Sequence, residues 1–249
     1  MRKILPLLLS LLLALICSVT LYPVTASGET WVSLYGGLAH TPSSKVTVTE
    51  PDGTDLTLHS VTWRDESFQS PPYYGMRIII WISRHSPWGI GIDFTHAKIM
   101  ADLNRSTRVT GVRAGGTVNI EEPVSNTFKN LAFTHGYNFL TVNAFYRLRN
   151  DFLPPYRKGN LIPYIGGGAG ITVPHSEIET STGSVNDYQF GGLAFQALIG
   201  VGIVLGQHFL LQPEYKFSWG NISSDLDNGG EVKLTPLTHH LILGLSYRF

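Results

Sequence analysis

The sequence predicts an all-β fold, an eight-stranded antiparallel transmembrane up-and-down β-barrel, on three observations. Eight segments alternate apolar and polar residues with the period of a strand. The connections between them are long and short by turns, which gathers the long ones at one end of the molecule. The chain is framed by an apolar leader and a final aromatic, Phe249.

The leader sets the compartment. Arg2 and Lys3 precede an apolar run from Ile4 to Ile16, and Val24 and Ala26 are the small residues of a cleavage site before Ser27. That pattern is a Sec signal peptide over 1–26, with the barrel over 27–249. The apolar run is short for a membrane span. Cys17 is the single cysteine and falls in the leader, so the mature chain is expected to carry no disulfide, thiol nucleophile or thiolate metal site. Ile16 before it is not the small residue that a lipoprotein-type cleavage requires.

Without Arg2 and Lys3 the chain holds 16 basic and 18 acidic residues, and no basic run points to nucleic acid. Abundant glycine, 11% aromatics and only 14% charged residues suit a barrel in lipid better than a soluble domain.

Strands are expected near 30–39, 73–83, 88–99, 138–149, 161–173, 193–205, 209–220 and 237–249. The connections 40–72, 100–137, 174–192 and 221–236 are long, and those at 84–87, 150–160 and 206–208 are shorter. In the seventh segment Leu211, Pro213, Tyr215, Phe217 and Trp219 share one face, and Gln212, Glu214, Lys216 and Ser218 the other. In the eighth, Leu241, Leu243, Leu245, Tyr247 and Phe249 alternate with His240, Ile242, Gly244, Ser246 and Arg248. A soluble sandwich would turn the apolar face inward. The terminal Phe249, with Tyr247 two before it, resembles the signal read by the outer-membrane insertion machinery and favours a barrel with its apolar face in lipid.

The lumen then receives Tyr73, Arg77, Asp93, Asn143, Arg147, Tyr164, Gln196, Gln212, Glu214 and Lys216. Eight strands leave room for side chains and little else, so these charges are expected to pair as a plug.

Topology places the long connections outside the cell. His40, His96, His135, His175, His239 and His240 fall at that rim and His59 in the first long connection, whereas His85 and His208 fall at periplasmic turns. The stretch "GIDFTHAK" (Gly91 to Lys98) therefore aims His96 and Lys98 at the cell surface. A rim rich in imidazole, with Glu177 and Glu179 just beyond His175, offers ligands for a divalent metal or acid–base groups at headgroup level. Histidine also suits any membrane interface, and no HxH or HExxH spacing is present.

Several phrases together resemble the lipid A oxidase family of small outer-membrane barrels: "PPYYGMR" (Pro71 to Arg77), "GIDFTHAK", "LTVNAFYR" (Leu140 to Arg147), "PYIGGGAGITVPHSE" (Pro163 to Glu177), "PEYKF" (Pro213 to Phe217) and the ending "LGLSYRF". The resemblance spans essentially the whole mature chain. It implies oxygen-dependent oxidation of the proximal glucosamine of 1-dephosphorylated lipid A to 2-aminogluconate, with hydrogen peroxide as co-product. The expected partners are lipid A or lipopolysaccharide of the outer leaflet.

Such chemistry needs a base for the anomeric hydroxyl, a cation for phosphate and a route for electrons to dioxygen. No thiol is available, and "GGGAG" lies within a strand rather than opening a helix, so no nucleotide or flavin is expected. A divalent transition metal at the rim is the expected cofactor, with His96, His175 and Glu177 as candidate ligands. These three and Lys98, placed for phosphate, form the candidate catalytic set. The alternatives are a non-catalytic surface barrel, structural or adhesive, and another lipid A-modifying barrel such as a deacylase. For the last, His239 and Ser246 lie seven apart and so on opposite faces.

Overall fold

A computed structural model describes residues 28–83, 86–148 and 160–249. The expected signal peptide, His85 with Arg84, and most of the 150–160 connection lie outside the described residues. In chain order the strands are β1 (Glu29–His40), β2 (Ser44–Thr49), β3 (Asp55–Val61), β4 (Trp63–Arg64), β5 (Tyr74–Trp81), β6 (Trp88–Ala101), β7 (Ser106–Arg113) and β8 (Gly116–Pro123). They continue as β9 (Asn130–Arg147), β10 (Leu161–Glu179), β11 (Ser184–Tyr188), β12 (Gly192–Val204), β13 (Phe209–Gly220), β14 (Ile222–Asp225), β15 (Glu231–Leu234) and β16 (Leu237–Arg248).

Eight of these close a barrel in the order β1–β5–β6–β9–β10–β12–β13–β16, each pair antiparallel. Closure comes from β1 on β16, running from Trp31 opposite Arg248 to His40 opposite His239. Among the described residues no helix is long and apolar enough to cross a membrane. The period-2 pattern turns out as expected. Leu241, Leu243 and Leu245 are exposed on the outer wall, while His240, Ile242 and Ser246 are buried. Trp88, Tyr146, Phe209, Tyr247 and Phe249 pack edge-on around one end of that wall. Phe195 and Trp219, 5.5 Å apart, and Tyr74 mark the other. From Phe209 to Trp219 a strand tilted by about 40° rises about 25 Å, the height of the apolar band of an outer-membrane barrel.

The long connections are not loops. Residues from the first, second and fourth form a six-stranded second sheet, β14–β15–β2–β3–β7–β8. The tight turns of its hairpins carry positive-φ residues, Gly53 at 86° and Ala114–Gly115 at 47° and 84°. Its inner face (Val46, Val48, Leu56, Leu58 and Val232) packs with Ile99, Leu131, Phe133 and Ile178 into one core. Those last four belong to β6, β9 and β10, which therefore run beyond their expected ends: β6 reaches Ala101, β9 starts at Asn130 and β10 ends at Glu179. The barrel wears a folded cap.

Side chains fill the interior at the turn end and at mid-height. At the turn end Trp31, Trp81, Phe145 and Tyr164 form an aromatic cluster, and the Arg147 guanidinium lies 3.9 Å from the Trp81 ring centre. At mid-height Arg77 donates to Asp93 (2.7 and 3.0 Å) and to Glu214 (2.5 and 2.8 Å), while Lys216 donates to Asp93 at 2.9 Å. Tyr164 and Gln196 complete the network through Glu214 and Asp93. Gly168 is what the narrow lumen demands: a Cβ there would sit 1.9 Å from the Val142 carbonyl oxygen.

Candidate functional site

The outer wall changes character where β6, β9 and β10 rise past the apolar band into the cap. There β9 carries surplus residues against both neighbours. Register slips between Ala97 and Ile99 on one side and between Pro174 and Glu177 on the other. Gly136 makes the bulge possible. Its φ is +133°, and a Cβ would meet the Asn138 side chain within 2.4 Å. The bulge pushes Thr134 and His135 toward β10, where Glu177 receives them.

Glu177 Oε1 accepts hydrogen bonds from the Thr134 hydroxyl (2.6 Å), the His135 ring (Nδ1, 2.8 Å) and the backbone N–H groups of both residues (3.2 Å each). His175 shares the outward face of β10 with Glu177. Its Nδ1 is 3.6 Å from Glu177 Oε1, too far for a hydrogen bond, and has no partner. His135, His175 and Glu177 present ligand atoms within 4.8 Å of one another. Tyr188, on β11, lies edge-on to His175 with ring centres 4.6 Å apart and donates to the His135 carbonyl.

Electrostatics leave His175 and Glu177 in their ligating forms. Burial pushes the His175 imidazole below its ordinary value, outweighing the attraction of Glu177. Burial would raise the Glu177 carboxyl, but its hydrogen bonds from Thr134 and His135 prevail and hold it below the usual carboxylate range.

His96 and Lys98 stand on the adjoining strand. His96 faces outward with Ile92 and Phe94 and is not one of the trio; His135 occupies the place expected for it. Its Nδ1 meets Asn138 Oδ1 at 2.9 Å, the Tyr74 ring stacks on it at 4.8 Å, and Nε2 has no partner. Lys98 is buried, donates to the Gln69 carbonyl at 3.1 Å and feels the charges of Glu66 and Glu177. Two of the expected ligands, His175 and Glu177, thus lie together. His96 and Lys98 flank them, and His135, Asn138, Tyr74 and Tyr188 complete the neighbourhood. Gly136 inside an otherwise regular strand was the available sign of a bulge beside His135.

The other imidazoles disperse. His240 points inward to Ser218 (2.7 Å), a pair fully buried in the lumen, whereas His239 points outward to Tyr215 (2.6 Å). His59 joins Thr110 on the cap, and His208 lies at the turn end near the Arg248 carbonyl.

No family model matches the chain, and no curated protein matches its sequence. Its likenesses are among solved structures. The outer membrane protein OprG from Pseudomonas aeruginosa is 12% identical, with 90% of this chain and 96% of that one covered and a TM-score of 0.49. Neisserial surface protein A is 13% identical over 89% and 97% of the two chains, with a TM-score of 0.40. The attachment invasion locus protein Ail of Yersinia pestis is 16% identical over 90% and 99%, with a TM-score of 0.36. The chain is similar to these, and its own strand pairing closes an eight-stranded antiparallel barrel.

Proposed function

We propose that the protein is an outer-membrane enzyme that oxidises the proximal glucosamine of 1-dephosphorylated lipid A to 2-aminogluconate. The observation that carries this reading is the grouping of His135, His175 and Glu177 on the outer wall at headgroup level. Two imidazoles and one carboxylate form a donor set suited to a redox-active divalent metal such as iron. The ligand atoms would close from within 4.8 Å of one another to about 3–3.5 Å around an ion with bonds near 2.1 Å, a matter of side-chain rotation. The unpartnered His175 Nδ1 fits that assignment.

A bound metal supplies the path by which paired sugar electrons reach dioxygen. The chain does the rest. The outward face lets a lipid arrive laterally from the leaflet, while the plugged lumen offers no competing route. Lys98 holds an anionic group as a point charge, and Tyr74 and Tyr188 border the site with aromatic faces. In the net reaction the C1 hemiacetal loses two electrons and two protons to dioxygen, forming a lactone and hydrogen peroxide. Water then opens the lactone to the acid.

Mass spectrometry of lipid A from cells with and without the protein tests this. A gain of one oxygen on the 1-dephosphorylated species supports the oxidase. Loss of an acyl chain would point to a deacylase instead. The folded cap favours a second reading, a non-catalytic surface barrel, which predicts unchanged lipid A.

A further inference from the structure

Tyr74, His96 and Asn138 lie in one row across β5, β6 and β9, paired in register and facing outward. The Asn138 amide fixes the chemistry of this row. Its Nδ2 is 3.0 Å from the Val173 carbonyl oxygen. A carbonyl only accepts, so the NH2 group must face Val173 and the amide oxygen must face His96. An acceptor 2.9 Å from Nδ1 requires that nitrogen to carry the proton. Nε2 is then a bare lone pair in the neutral ring. It is buried without a partner, in a residue only 3% exposed. Buried polar atoms are paired in the large majority of cases, so an orphan beside the trio and Lys98 points to a ligand group.

We infer that Asn138 locks His96 in its Nδ1–H tautomer so that Nε2 receives the proton of a sugar hydroxyl on the lipid headgroup. His96 is thus the base and not a metal ligand, and Asn138 is its positioning residue. The inference rests on the oxidase reading for the identity of the sugar, and it assigns the hydroxyl at C1. The C1 O–H bond breaks, its proton passes to Nε2 and its electron pair becomes the second C1–O bond of the lactone. The hydrogen on C1 leaves with two electrons to dioxygen, which takes the proton from His96 and departs as hydrogen peroxide. Nε2 is screened from water in the free protein, so the hydroxyl reaches it as the Tyr74 ring stacked on the imidazole moves aside.

The test is nitrogen NMR of ¹⁵N-histidine-labelled protein in detergent micelles, with His96 assigned from the His96→Gln spectrum. The expected spectrum shows a protonated Nδ1 and an unprotonated Nε2. The Nε2 signal should move on adding 1-dephosphorylated lipid A, and not on adding lipid A that keeps its 1-phosphate and so lacks the hydroxyl. His96→Gln should lower turnover by about 10²- to 10⁴-fold while bound metal stays constant. Asn138→Val should mix the tautomers and lower turnover by about 10- to 100-fold, whereas Asn138→Asp keeps an acceptor on Nδ1 and should keep the tautomer. Heat-dependent gel mobility checks that each variant is folded. A protonated Nε2, metal lost in His96→Gln, or full turnover in that variant overturns the assignment. Oxidation by wild type with an unmoved Nε2 signal sinks the base and spares the oxidase. A hydroxyl-dependent shift without oxidation does the reverse, leaving Nε2 as the acceptor of a bound headgroup.

Discussion

Glu214→Gln is the sharpest probe of the lumen. The substitution keeps the size of the side chain and removes one charge from a network of two carboxylates and two cations. Arg77, Asp93 and Lys216 remain, all almost fully buried, with a net charge of +1 where there was none. Arg77 loses charge-assisted partners at 2.5 and 2.8 Å. Breaking a buried pair from one side costs about 3–5 kcal/mol, which is roughly two to four decades in the unfolding equilibrium. Urea unfolding in phospholipid vesicles, followed by tryptophan fluorescence, measures the loss, and the heat-modified gel transition should fall with it. Lys216→Met in the same chain removes the surplus cation, so the double variant should be less destabilised than the two singles together. Coupling within such networks runs to about 0.5–3 kcal/mol. Stability of Glu214→Gln within about 1 kcal/mol of wild type, with strict additivity in the double, would refute the view that this network holds the barrel shut. An unchanged unfolding curve with lost oxidation would move Glu214 into the chemistry.

The remaining predictions concern the rim, the cap and assembly. His135→Ala and His175→Ala should insert normally, bind little metal and leave 1-dephosphorylated lipid A unoxidised, as elemental analysis and mass spectrometry would show; metal-replete variants would dismiss the trio. Phe133→Ala removes a fully buried ring from the core between cap and barrel, and should cost about 3–5 kcal/mol locally. Limited proteolysis should then cut the cap while the barrel keeps its unheated gel mobility; a protease-resistant cap would mean that this core contributes little. Deleting Phe249 should impair assembly in the outer membrane far more than export, and normal assembly of the deletion would remove that role from the terminal aromatic.

The alternation of Leu241, Leu243 and Leu245 with His240, Ile242 and Ser246 determined by itself which face of each strand meets lipid. Side-chain direction in a strand repeats every two residues and is therefore local. The same parity put His96 on the outer wall and Arg77, Asp93, Glu214 and Lys216 in the lumen, where they pair; the facing of His175, after Pro174, was decided by the structure. The cap was written less plainly. Val46, Val48, Leu56 and Leu58 alternate around the Pro51-Asp52-Gly53 turn, which is a hairpin pattern, but nothing local says which strands it joins. Only the tertiary structure decided that, and only it brought His135 rather than His96 to Glu177. Two surplus residues in β9 shift its register against both neighbours. A shift in register changes which residues stand opposite while leaving the pattern along each strand untouched. Pairing between strands is a property of contacts far apart in the chain, and alternation carries no record of it.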